Sequence, residues 1–372
     1  MSVKCQVIMD AMDKLAPRNL AESWDNVGLL VGSPAQDISK VLVALDVTLP
    51  VAEQAVAMGA DMIIAHHPLI FKGITNVRTD LPHGRLLSRL LKADIAVYTA
   101  HTNLDIAPGG INDILASKLG LQGIEPLAVT TSERLLKLVV FVPETHVEQV
   151  RLAIAAAGAG HIGNYSHCTF QVAGTGTFVP LEGTNPFIGK QGKMEYVAEF
   201  RVETILPEKI SRRVIKAMLK AHPYEEVAYD LYPLTNEGTI FSLGRIGKLS
   251  SPMDLAGFAT QVKKALAINF VSVCGPHDKL VKKIAVCGGS GASLIHKAVF
   301  AGADVLVTGD VKYHEAQDAL AAGMAVIDAG HFATEQPVAA YIAEYLKQCS
   351  TGGKWQVEVS VDTVGTDTFT IY

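Results

Sequence analysis

The sequence has no C-x-x-C pair, and its five cysteines, Cys5, Cys168, Cys274, Cys287 and Cys349, are scattered over 372 residues. That excludes a disulfide framework and a cysteine-built zinc knot, so any metal has to be held by histidine and carboxylate. No window reaches about 18 uninterrupted apolar residues, the length a membrane-crossing helix needs. The first stretch, MSVKCQVIMDAMDKLAP, lacks the long apolar core and small-residue cleavage site of a secretory signal, so a cytoplasmic protein with no membrane partner is expected. An excess of one charge is also missing: 32 Lys and Arg stand against 37 Asp and Glu, for a net charge of −5. No segment interleaves basic residues with aromatics as a nucleic-acid groove does, and nucleic acid is disfavoured as a partner.

What is present is an ordinary globular composition, 49% hydrophobic and 19% charged, with length enough for two or three domains. It also contains an internal repeat. The segment KVLVALDVTLPVAEQAVAMGADMIIAHH, from Lys40, aligns without gaps with KIAVCGGSGASLIHKAVFAGADVLVTGD, from Lys283, at a constant offset of 243. Each copy reads as a short apolar strand (Val41 to Leu45; Ile284 to Val286), a helix with one apolar face, Gly-Ala-Asp, and a second apolar strand (Met62 to Ala65; Val305 to Thr308). Such a βαβ unit places both strands parallel in one sheet, with their carboxyl ends at the edge where open α/β sheets bind ligands. The echo continues: ADIAVYTA leads to His101 and Asp105, GMAVIDAG to His331 and Glu335, and a helix follows each (Ile111 to Leu119; Val338 to Leu346). The fold class is therefore α/β, with two related halves whose strand ends can face one another.

Between the halves the predicted order is strand, helix, strand, strand, helix, strand, from about Leu135 to Leu234, which is the order of a ferredoxin-like α+β domain. LEGTNPFIGKQGK forms the long hairpin between its middle strands, while AVTTSE and LTNEG read as linkers. The expected division is residues 1–131, first half of the core; 132–236, inserted domain; 237–372, second half.

His66 and His67 close the strand of the first repeat, and Pro68 restricts the backbone beside them. A single histidine at a strand end is ordinarily structural. Here His66, His67, His101 and His331, with Asp105 and Glu335, all gather at one predicted sheet edge. Neighbouring strand side chains point to opposite faces, so His66 and His67 cannot readily share one ion. Two divalent ions a few ångströms apart, each taking one imidazole and joined by a bridging carboxylate, satisfy the pattern. Nitrogen and oxygen donors without sulfur suit zinc, iron or manganese rather than copper(I), and imidazole argues against calcium. A paired-ion site of this kind usually serves hydrolysis.

Other segments keep two readings. CGGSG, Cys287 to Gly291, is either a tight turn or an anion cradle at a helix start. Asp310, Lys312 and His314 either support the site or begin a solvated helix. Asp46 and Thr48 read as a helix start with Thr48 as N-cap. HPYEE, His222 to Glu226, reads as packing and surface within the inserted domain rather than as a ligand cluster.

Together, ESWDNVGLLVG, ALDVT, IIAHHPLIF, YTAHTNLD, GRIGKL, CGGSG, TGDVKYHEA and DAGHFATEQP resemble the GTP cyclohydrolase 1 type 2 homologues, or Nif3-like dinuclear metal centre proteins, over essentially the whole chain. The resemblance implies a Nif3-like core whose metal ligands fall on His66, His67, Asp105, His331 and Glu335, the last bridging both ions. It implies an inserted domain similar to the PII and CutA class, a toroidal homohexamer, and a GTP-opening activity, with the physiological substrate unsettled. The leading expectation is a metal-dependent hydrolase of a nucleotide or related phosphorylated small molecule, with Glu335 essential to turnover and His101 as proton shuttle. The alternative is a metal-binding, ring-shaped regulatory scaffold in which the insert senses a ligand.

Overall fold

The structure is a computed structural model and describes residues 2–352 and 355–370. The chain forms two compact units, Met1–Thr131 with Phe241–Tyr372, and Ser132–Ile240.

The first unit contains two larger sheets. One has five strands in the order Glu358–Val361, Lys40–Ala44, Met62–Ala65, Ala96–Thr99, Gly28–Val31, all parallel except the last. The other has six, in the order Ser272–Cys274, Ala325–Asp328, Val305–Gly309, Leu280–Ser290, Ile240–Asp254, Gln122–Ser132. Its three strands Leu280–Ser290, Val305–Gly309 and Ala325–Asp328 are parallel. The central strands read as unbroken apolar runs because both faces are covered: Val41, Leu42, Val43, Ala44, Met62, Ile63, Ile64 and Ala65 are all fully buried, as are Val305, Leu306 and Val307.

The repeat holds at the level of single atoms. Asp61 accepts from the backbone N–H of Ser39 and Lys40, at 2.7 and 3.0 Å. Its counterpart Asp304 accepts from those of Lys282 and Lys283, at 2.8 and 2.7 Å. Lys40 Nζ donates to Met58 O, and Lys283 Nζ to Ala301 O. Gly59 and Gly302 close the two helices with φ of +67° and +72°, a conformation glycine adopts without a Cβ penalty. Arg245 fastens the halves together. Its guanidinium is buried and donates to both oxygens of Asp113 on the first-half helix Ile111–Lys118, at 2.9 and 2.8 Å, and also to Ala107 O, Ser242 O and Gly244 O.

Two expectations need correction. AVTTSE is not a linker: its first five residues end the strand Gln122–Ser132 at the edge of the six-stranded sheet, as β-branched Val129, Thr130 and Thr131 favour. Asp105 and Glu335 do not sit on strand ends, because each belongs to a short helix, Thr102–Ile106 and His331–Glu335.

The second unit runs Leu135–Pro143, helix Val147–Ala156, Thr169–Phe178, Glu195–Pro207, helix Ser211–Ala221, Tyr229–Pro233. Its sheet is antiparallel, with Tyr229–Pro233 and Glu195–Pro207 flanking Leu135–Pro143, and Thr169–Phe178 at the far edge. The core lies between the helices and one face of the sheet, where Val150, Ile154, Val214 and Met218 meet Leu138, Val140, Val142 and Val202.

Candidate metal centre

The site lies where the carboxyl ends of the parallel strands of the two larger sheets meet. Ladder bonding carries the Met62–Ala65 strand into the histidines: His66 N donates to Ala44 O at 3.3 Å, and His67 N to Leu45 O at 2.9 Å. His66 is fully buried and His67 half-buried. From the other half come His331 and Glu335, four apart on one helical turn and therefore on one face, with Nε2 and Oε2 3.1 Å apart.

The buried Glu335 carboxylate divides the cluster. Its Oε2 lies 2.9 Å from His67 Nε2 and 3.1 Å from His331 Nε2, which are 3.4 Å from each other. Its Oε1 faces His66 Nε2 at 3.6 Å, and Asp105 Oδ1 lies 3.7 Å from that same nitrogen. Two three-residue groups capable of holding a metal thus share Glu335: His66, Asp105, Glu335 and His67, His331, Glu335. A third group of such atoms joins His101 to His66 and His67.

Each imidazole is anchored through Nδ1. His66 meets Ala100 O at 2.8 Å, His67 meets Asp46 Oδ1 at 2.8 Å, His101 meets Asp25 Oδ1 at 2.9 Å, and His331 meets Asp310 Oδ2 at 2.6 Å. Oxygen partners on Nδ1 with Nε2 turned inward are the orientation of metal-binding histidines. For His66 the tautomer is decided: a carbonyl only accepts, so Nδ1 carries the proton and donates it to Ala100 O. His66 Nε2 and Asp105 Oδ1 then stand buried without hydrogen-bond partners. A lone pair and carboxylate oxygens that face each other across 3.6–3.7 Å are costly to bury unless a cation lies between them. The donor set therefore fits a divalent metal.

The same contacts shift the charges of the cluster. Burial pushes the Asp105 carboxyl up to about 7, against the pull of His66 and with the further push of Glu335. Burial would also raise Glu335, but the attraction of His66 and the hydrogen bonds of His331 and His67 hold it well below the usual carboxylate range. His67 is raised to about 10, since bonds to Asp46 and Glu335 outweigh burial, and His331 to about 9, chiefly by Glu335. Asp25 falls to about 2, because bonds from His101 and Thr102 overcome its burial.

CGGSG makes room for this arrangement. A Cβ on Gly289, whose φ is +61°, would strike Glu335 Oε1, and one on Gly288 would approach Glu335 Cγ. The N–H groups of Gly288, Gly289 and Gly291 donate to Asn112 Oδ1, Thr334 Oγ1 and Thr308 Oγ1, so these amides do not form an anion cradle. The model family profile of Duf34/NIF3 (NGG1p interacting factor 3) matches residues 3–367. This chain belongs to the Duf34/NIF3 family. Among NIF3 relatives, proteins called GTP cyclohydrolase 1 type 2 homolog are similar to it along nearly their whole length. That of Halalkalibacterium halodurans is 49% identical over 98% of both chains, and that of Bacillus subtilis 46% identical over 99% of both. A Bacillus cereus protein related to NIF3 superposes with a TM-score of 0.94 at 46% identity, covering 100% of this chain and 99% of that one. The mixed α/β fold is thus that of NIF3 structures, and no described helix is long and apolar enough to cross a membrane.

Of the residues singled out in the sequence, His66, His67, His101, Asp105, His331 and Glu335 all come together, with Asp310 behind His331. Lys312 and His314 are exposed at the start of the helix Tyr313–Ala321, and neither belongs to a metal-capable group among the described residues. Thr48 caps its helix by accepting from Val51 N at 3.4 Å. Asp46 has a role that its helix-start reading missed, and Asp25 was missed altogether. Neither carries a spacing signal, since each meets its histidine only through the fold. Trp24 and Phe71, both exposed, stand beside His101, with ring centroids 6.1 and 6.3 Å from it and 5.7 Å from each other.

Proposed function

We propose that this NIF3 protein is a dinuclear-metal-dependent hydrolase acting on a nucleotide or related phosphorylated small molecule. The observation that carries the reading is the pair of buried, partnerless donors, His66 Nε2 and Asp105 Oδ1, in a cluster whose every imidazole is anchored from behind. His66, Asp105 and Glu335 would hold one divalent ion of the zinc, iron or manganese class, and His67, His331 and Glu335 would hold the second, Glu335 belonging to both groups. Bound ions of that class supply Lewis acidity and lower the pKa of water. His101, fixed through Nδ1 by Asp25, keeps Nε2 free to take up and return a proton. Trp24 and Phe71 offer exposed aromatic faces against which a planar ring can rest. The relatives' name, GTP cyclohydrolase 1 type 2 homolog, makes GTP the first substrate to try.

The test is metal content per chain by elemental mass spectrometry after reconstitution with each metal, followed by a nucleotide hydrolysis screen on the loaded protein. About two ions per chain are expected, with Glu335→Gln losing turnover while keeping the fold. Turnover retained in Glu335→Gln would overturn the assignment.

A second reading, a metal-binding regulatory scaffold, is favoured by the separate unit Ser132–Ile240, which has a cavity of its own. Its βαββαβ order and its spatial strand order, fourth, first, third, second, support a ferredoxin-like domain of the PII and CutA kind. In both readings the protein is cytoplasmic and assembles as a homohexamer, which analytical ultracentrifugation would test. Deleting residues 132–236 separates the two: loss of the insert leaves metal content and turnover intact in an enzyme, whereas a scaffold has no turnover to keep.

A further inference from the structure

Part of the helix-free face of the second unit's sheet is covered by loops rather than by a second layer. The segment from Val179 to Ile188 and the residues Tyr224 to Glu226 border a half-open cavity of about 760 Å³ over it, the size of a small-molecule site. The floor carries Glu199, which is only 9% exposed although it lies on a sheet strand. Its Oε1 accepts from Tyr224 OH at 2.8 Å, and its Oε2 has no hydrogen-bond donor among the described residues. Space for that carboxylate is built in: a Cβ on Gly176 of the neighbouring strand would collide with Glu199 Oε2.

The walls are aromatic. Tyr224 packs edge-on to Phe178, with ring centroids 6.0 Å apart, and tilted to Phe187 at 6.3 Å. The HPYEE turn is held in place by His222, which is buried, donates through Nε2 to Phe141 O at 2.9 Å and accepts from Tyr224 N at 3.1 Å. HPYEE is thus packing and surface, as expected, and its Tyr224, Glu225 and Glu226 also form one wall of the cavity. Charge at the opening is one-sided. Glu225 and Glu226 join Glu199, against one cation among the described lining residues, Arg201, which donates through Nε to Glu203 at 2.7 Å. Glu225 is partly engaged by Asn185 N, which ties the two covering segments together.

We propose that this cavity binds a small organic cation: a protonated amine on an apolar or aromatic body. The ammonium meets Glu199 Oε2 and the faces of Tyr224, Phe178 and Phe187, and the body occupies the apolar remainder. An anion would have to sit against a buried carboxylate, and a neutral ligand would leave that carboxylate without the charge that best compensates its burial. This inference does not depend on the hydrolase reading.

The test uses the full chain and three probes of similar size: 2-phenylethylamine, 2-phenylethanol and 3-phenylpropanoate. Saturation-transfer NMR and titration calorimetry at neutral pH should give an affinity for the amine at least about tenfold above that for the carboxylate, with the alcohol between them. Glu199→Gln should reduce the preference to about threefold or less, and Glu226→Gln, at an exposed position, should lower it by a factor of about two. Tyr224→Phe, which frees Oε1, should preserve it. Equal or better binding of the carboxylate, an unchanged preference in a folded Glu199→Gln, or no binding of any probe at millimolar concentration would each overturn the proposal. The comparison of probes on the unaltered chain decides the matter even if Glu199→Gln fails to fold.

Discussion

If the site takes metal as proposed, loading must expel protons, and the shifted groups of the cluster set the expected number. In the metal-free protein at pH 7, His67 with its pKa near 10 and His331 with its pKa near 9 each hold a proton, and Asp105, near 7, is half protonated. All three must be deprotonated to act as ligands. Filling the site at pH 7 should therefore release between about two and three protons per chain: one from each histidine and a fraction from Asp105. At pH 6 the figure rises to about 3, because Asp105 becomes protonated, and at pH 8 it falls to about 2. Affinity gains tenfold per pH unit for each proton displaced, so lowering the pH from 7 to 6 should weaken binding by two to three orders of magnitude, roughly. Calorimetric titration of zinc into the metal-free protein, in buffers of different ionisation enthalpy and corrected for zinc binding by the buffer, reads the proton count directly. His67→Ala should lower it by about one. Release of fewer than about one proton at pH 7, or a count that increases with pH, would refute both the ligand assignment and the reading of the cluster's charges.

Three further outcomes follow. Asp105→Asn should abolish filling of the His66 position yet stabilise the metal-free protein: a carboxyl raised to about 7 contributes its stability below its unfolded pKa and loses it as the pH rises through 7. At pH 8 in chelator, calorimetry should show the variant melting higher, on the order of 5 °C. Arg245→Met leaves Asp113 and three backbone carbonyls without their buried donor, and should cost about 3–5 kcal/mol, seen as a fall in denaturation midpoint with or without metal. Gly289→Ala places a methyl group against Glu335 Oε1 in a left-handed conformation, and metal affinity measured by competition with a chromogenic chelator should drop at least about tenfold.

The parallel halves were legible in the sequence because buried strands have to be written as apolar runs, and because Gly-Ala-Asp is repeated for a reason: the aspartate closes the same backbone amides in both copies. The histidines were legible because they interrupt those runs. Three things were not legible. The placement of Asp105 and Glu335 on single-turn helices escapes periodicity, since five residues are too few to show a period. Asp25 and Asp46 reach His101 and His67 from 76 and 21 residues away, and only tertiary packing brings them there. AVTTSE reads as a linker by its polarity, yet it is a sheet edge, where one side faces water and threonine serves as well as valine.

The matched halves also set a schedule for the making of the protein. During synthesis His66, His67 and Asp105 leave the ribosome more than two hundred residues before His331 and Glu335, and the entire Ser132–Ile240 unit is made in between. The nascent first half lacks Glu335, so neither of the two groups that share that carboxylate is complete in it. Under the proposed two-ion reading, both groups would be complete only once Glu335 has been added and the two sheets have closed on one another. A bound metal pair would then serve as a certificate of completion: chains truncated anywhere before residue 335 would leave the ribosome without it, and a protease that senses open halves could tell them from finished molecules.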